Sequence, residues 1–214
     1  MYVCMRMSCS GLSASWPCKA SSPATTLEKI KVSAGLRLER LSKVMAESFF
    51  IRHTLNLGNT NAFVQREIDL GAYVDALNQS ILKVHRVDVA FTDSGGRSLS
   101  MVAANTAAVA QFQLTTQTQS DIVLPGDRSV IAAGKIEAYT PSITSSPLAA
   151  SSSNSFDIAP QLYTNGYLVA TESIYLGGGA NTNFAEDVYV SIVMECTVEK
   201  MSQAKAMSLA LSQQ

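Results

Sequence analysis

The sequence predicts an all-β domain: a two-sheet antiparallel β-sandwich or jelly roll of about eight strands, followed by a short C-terminal helix. Three observations predict it. Residues 187–200 alternate, with Val188, Val190, Ile192, Met194, Cys196 and Val198 on one side and Tyr189, Ser191, Val193, Glu195, Thr197 and Glu199 on the other. That period of two marks a long strand with one face on a core. Shorter strand-like segments recur before it at even spacing, separated by Gly, Asn, Asp and Pro turn signals. Finally, 214 residues with 47% hydrophobic and only 15% charged side chains suffice to bury the core of one domain.

Taken in order, residues 49–57 alternate Ile51, His53, Leu55 and Leu57 against Phe50, Arg52, Thr54 and Asn56, a first strand. A turn at 58–61 leads to a second strand, residues 62–70, with Val64, Ile68 and Leu70 inward. Residues 80–92 form a long third strand in which Ile81, Val87, Val89 and Phe91 share a face with Lys83 and His85. Asp93-Ser94-Gly95-Gly96 reads as a hairpin turn into a fourth strand, residues 98–103. Residues 107–116 and 130–139 give two more, and the Ser/Pro-rich residues 140–155 read as a surface loop. One or two strands follow between Tyr163 and Leu176, broken at Asn165-Gly166, with Gly177-Gly178-Gly179 in the loop before the last strand. In the tail, 201–214, Ser202 stands where it can cap a helix rich in Ala, Met and Leu.

Charge divides the chain unevenly. Residues 1–44 hold seven Lys/Arg against two Glu, whereas the remainder holds nine basic and fifteen acidic residues. Cys4, Cys9, Cys18 and Trp16 also crowd into that first segment, and the shift ends at Met45, where MAESFFIRHTLNLGN reads as an ordinary protein start. Residues 1–44 are therefore expected to be an extension outside the core, disordered or the product of a start assigned too far upstream. The competing reading is a genuine basic arm, the one route by which nucleic acid would enter. The sandwich is expected over 45–200. No apolar run is long enough for a signal peptide's core or a membrane span.

The sequence carries no expectation of catalytic chemistry. The cysteines lack CxxC spacing, and Cys196 falls on an apolar strand face where a small hydrophobe serves. His53 and His85 are the only histidines, too few for a metal site built from several of them. There is no GxSxG elbow and no HExxH helix. Glu186-Asp187 reads as a solvated strand start, the triple glycine lacks the lysine of a phosphate loop, and Asn78-Gln79-Ser80 matches a glycosylation sequon without a secretory context. No catalytic, metal or cofactor-binding residue and no cofactor is assigned.

The closing arrangement carries a resemblance. A strand pair around TNGYLVATESIYLGG, a Gly/Asn loop, a last long strand and an Ala/Leu-rich tail ending LSQQ resemble the vertical single jelly-roll capsid proteins of bacterial and archaeal viruses. The resemblance covers residues 45–214 and implies an upright eight-stranded sandwich, a self-assembling structural protein of the virion. Its partners would be copies of itself and other virion proteins. Ala204, Met207, Leu209 and Leu211, on a tail whose only charge is Lys205, are the candidate subunit contact. The alternative is a non-catalytic carbohydrate- or surface-binding module, against which the scattered tyrosines count, since sugars stack on shared aromatic platforms.

Overall fold

The structure, a computed structural model, describes residues 47–75, 77–140 and 151–214, the side chains of 151–154 excepted. The expected extension 1–44 lies outside the described residues. Among the described residues nine strands form two antiparallel sheets: β1 (Phe49–Gly58), β2 (Val64–Asp69), β3 (Ser80–Thr92), β4 (Thr106–Thr115), β5 (Val130–Thr140), β6 (Ser151–Ile158), β7 (Tyr167–Val169), β8 (Ser173–Ala180) and β9 (Val188–Lys200). One sheet runs β1-β9-β3-β7 and the other β2-β8-β4-β5-β6.

That order has a simple origin. β1 pairs with β9, β2 with β8, β3 with β7 and β4 with β5, always antiparallel. The chain is thus one long hairpin ribbon, and rolling it places successive pairs alternately in the two sheets. This is a jelly roll. β6 is an addition on the outer edge of β5.

β9 behaves as its alternation requires. Val188, Val190, Ile192, Met194 and Cys196 are buried, and they join Phe112, Leu114, Ile136, Ile174 and Leu176 of the opposite sheet in one core. Burying an aliphatic side chain of this size contributes about 1.5–3 kcal/mol, so β9 alone brings a large share of the stability. Phe184, fully buried just before β9, closes the core at the end where Met101 bridges to it.

Five expectations are corrected. In β3, Val87, Val89 and Phe91 do not share a face with Lys83 and His85. The register against β9 shifts between Val84 and Arg86, so His85 sits in a bulge and the inward set runs Leu82, Val84, then Val87. One extra residue reverses the alternation beyond it. Residues 98–103 form no strand beyond the Met101–Phe184 bridge; Asp93 Oδ1 instead accepts the amides of Gly95 (2.8 Å) and Arg97 (2.7 Å) and tightens the turn.

Residues 151–158 of the expected loop are β6, while 141–150 lie outside the described residues. Gly177–Gly179 belong to β8, and the break falls at 170–172 instead of Asn165-Gly166. The glycines answer close approach: a Cβ on Gly178 would run into the Gln111 carbonyl oxygen, and one on Gly177 would meet the Phe63 ring at 2.7 Å.

Replacing Ile192 by Asp puts an unpaired charge in the core and is expected to cost about 4 kcal/mol or more, enough to unfold a marginally stable domain. Val193, half-buried on the opposite face between Arg52 and Asp88, tolerates Asp within about 1 kcal/mol. Thermal melts followed by circular dichroism compare the two; the reverse order would place the register one residue out.

Candidate functional site

The C-terminal helix, Gln203–Ser212, starts at Ser202 through that residue's backbone: its carbonyl accepts the amides of Lys205 (2.9 Å) and Ala206 (3.0 Å), while its side chain makes no capping bond. Ten residues make a helix that is marginal alone in water, so packing must hold it. The packing is on the chain's own sandwich. Ala206 is fully buried with Ile81 and Ala170, and Leu168, Met201, Leu209 and Ala210 pack around them. Ile81 belongs to the stretch of β3 before the bulge, so the helix covers the outer face of the four-stranded sheet at its β3–β7 corner.

This divides the four expected contact residues. Positions 206, 209, 210 and 213 share one helical face at i, i+3, i+4, i+7 spacing, and Leu209 turns inward with them. Ala204, Met207 and Leu211 lie on another face and are exposed, Met207 at 44% and Leu211 at 69%. A shallow apolar groove of about 460 Å³, lined by Leu168, Met201, Ala204, Lys205, Ser208 and Leu209, runs beside them. Leu77, also 69% exposed, sits in the loop whose Gln79 carbonyl accepts the Met201 amide (2.9 Å), at the same end of the sandwich.

The residue that fixes the helix was not singled out by sequence. Gln213 is buried; its Nε2 donates to the Leu168 carbonyl (2.6 Å) and its Oε1 accepts the Ala170 amide (3.0 Å). Its own carbonyl accepts Thr116 Oγ1–H (2.8 Å) and Gln117 Nε2–H (3.1 Å), and Arg128 Nη2 donates to the Gln214 oxygen (2.8 Å). β7 is an edge strand, and this amide satisfies the N–H and C=O that no neighbouring strand reaches. Gln161 repeats the device on β3 beyond the end of β7, accepting the Val87 N–H and donating to the Val87 carbonyl, both at 3.1 Å. The amphipathic spacing of 206, 209, 210 and 213 is the one signal that could have found this anchor.

The remaining chemistry-bearing residues are dispersed. His53 points inward from β1, whereas His85 is on the outer face, with Nε2 2.9 Å from Thr197 Oγ1. The two lie on opposite faces of one sheet and share no site. Burial, helped by Glu195, pushes the Cys196 thiol up to about 12, so it remains a neutral thiol at physiological pH. Glu186 accepts from Ser100 Oγ (3.2 Å) and Asp187 from Asn56 Nδ2 (2.9 Å), the bonds of a strand entry.

Asn78 Nδ2 is occupied by Asp75 Oδ2 (2.6 Å) in an exposed turn. A second cleft, about 650 Å³, lies between the helix and β8 and is lined by small polar groups including Thr116, Thr171, Glu172 and Ser173. Among the described residues, no group of three or more His, Cys, Asp and Glu is placed to hold a metal ion, and no helix is long and apolar enough to cross a membrane.

No protein-family model matches the chain, and no curated protein does. Among solved structures, a chain of the maize chlorotic mottle virus particle is similar over 72% of this chain and 95% of its own, at 7% identity and a TM-score of 0.28. The tailspike protein gp49 of Acinetobacter baumannii bacteriophage Fri1, a capsular polysaccharide depolymerase, is similar over 63% of this chain and 21% of its own, at 11% identity and a TM-score of 0.16. Likeness at this level assigns neither partner nor activity.

Truncating Gln213 to Ala leaves the buried Ala170 N–H just past β7 and the part-buried Leu168 carbonyl on β7 without their partner. It is expected to lower stability by about 2–4 kcal/mol, read as a fall in urea midpoint, with the Ala170 amide exchanging faster. A surface glutamine would cost less than about 0.5 kcal/mol, and that result would remove the anchor from the account.

Proposed function

We propose that this chain is a structural virion protein, a capsid subunit that assembles with copies of itself through the face bearing the C-terminal helix. The observation that carries the reading is the exposed stripe Ala204, Met207 and Leu211 on a helix already fixed to its own sandwich. A loose amphipathic tail would turn its apolar side inward. This helix has done so with Ala206, Leu209 and Ala210, and it still holds Met207 and Leu211 out in water. Each such side chain gains about 1.5–3 kcal/mol when a neighbour covers it, and in a closed assembly every copy gains it.

The rolled strand order supports the reading, because it agrees with the resemblance of residues 45–214 to single jelly-roll capsid proteins. Fold does not by itself give function. Copies of this chain are the partners; other virion proteins fit the same reading, and nucleic acid would enter through the basic segment 1–44.

The test leaves the anchor untouched. A Met207→Glu/Leu211→Glu double variant alters only exposed positions and is expected to melt within about 2 °C of the parent chain. It should sediment as a smaller species at concentrations where the parent associates. A parent chain that stays monomeric at high concentration and in high salt would overturn the proposal.

A further inference from the structure

β1 and β2 are edge strands of different sheets, so no backbone ladder joins them and side chains alone close that side of the sandwich. His53 sits there, on the inward face of β1 between Ile51 and Leu55, with Ile192 beside it on β9. Its Nε2 is buried and has no hydrogen-bond partner. A buried polar atom without a partner costs stability, and natural folds keep few of them without a reason.

The charged groups around it are of one sign. Arg66 stands opposite Leu176, a core residue of β8, which places it on the inward side of β2 toward His53. Glu67 points the other way and accepts from Ser173 Oγ. Arg52 is on the outward face of β1, its guanidinium 5.5 Å from the centroid of the Phe50 ring. The inward neighbours on β9 and β8, including Ile192, Ile174 and Leu176, are apolar. Among the described residues, no carboxylate faces the ring to compensate a positive charge.

We propose that His53 makes the β1–β2 edge an acid-sensitive latch: proton uptake on its ring sets two cations, His53 and Arg66, across an edge held only by side chains, and β1 loosens. Burial first, and Arg66 second, hold the His53 pKa below its ordinary value. The folded chain therefore keeps the ring neutral where the unfolded chain binds a proton. Stability is full above the unfolded value of about 6.5, and it falls as pH drops through that value toward the lower folded one. The chain's only other histidine, His85, lies on the outer face bonded to Thr197, so variants separate the two.

The experiment uses the full chain and its His53→Gln, His85→Gln and Arg66→Gln variants. Thermal midpoints and amide-exchange protection factors are measured at about pH 7.5 and about pH 5.5, on either side of the histidine range. The parent chain and His85→Gln should lose about 2–4 °C more than His53→Gln over that interval. The lost protection should be concentrated in β1 relative to the β3–β9 pairing. Arg66→Gln, at an exposed position that tolerates change, should show a smaller loss than the parent and keeps the test decisive if His53→Gln folds poorly. A parent chain whose β1 protection does not fall with pH, or an unchanged fall in His53→Gln or Arg66→Gln, would overturn the proposal.

Discussion

The fold depends on β9 being paired on both edges over nearly its whole length. Phe49 to Gly58 runs along one side of it and Ser80 to Thr92 along the other, so the last strand sits inside the sheet that the first strand begins. No local signal brings residue 49 to residue 196; the apolar face of β9 does, because it can be buried only when both neighbours are present. Such long-range pairing is slow to form but all-or-none once made. It also fixes where the chain ends: β9 delivers the tail to the β3–β7 corner, and the helix has the outer face of Ile81 and Leu168 as its nearest apolar surface.

Two glutamine amides follow from the same constraint. A four-stranded sheet ending in the three-residue β7 leaves backbone groups of β3 and β7 open, which is the condition under which sheets pair with foreign strands. Gln161 covers Val87 and Gln213 covers β7. Closing that edge with side chains leaves fewer open backbone groups there for strand addition. The anchor and the exposed stripe are thus two faces of one short element.

How much was legible in the sequence follows from the range of each signal. β9 could be read because from Val188 to Cys196 one face is wholly apolar while the other, Val193 apart, carries Tyr189, Ser191 and Glu195. β3 could not be read throughout, because the bulge at His85 inserts one residue without changing the composition on either side. The serines of β6 carry no strand preference, and pairing with β5 on a sheet edge makes them a strand all the same. A triple glycine reads as loop, yet Gly178 is small because the backbone of β4 leaves no room for a Cβ. Of the four candidate contact residues, three remain exposed and Leu209 does not; helical spacing distinguishes them, whereas apolar character alone does not. Gln161 and Gln213 were invisible because their partners are backbone atoms 74 and 43 residues away.

The central claim is that this jelly roll is built to be covered by copies of itself, with the C-terminal helix between them. Electron micrographs of the purified full chain at high concentration test it most directly. The account predicts closed, repeating particles in which density from one subunit lies over Met207 and Leu211 of the next. Fields of separate single chains, or assemblies in which that helix faces open solvent, would contradict it.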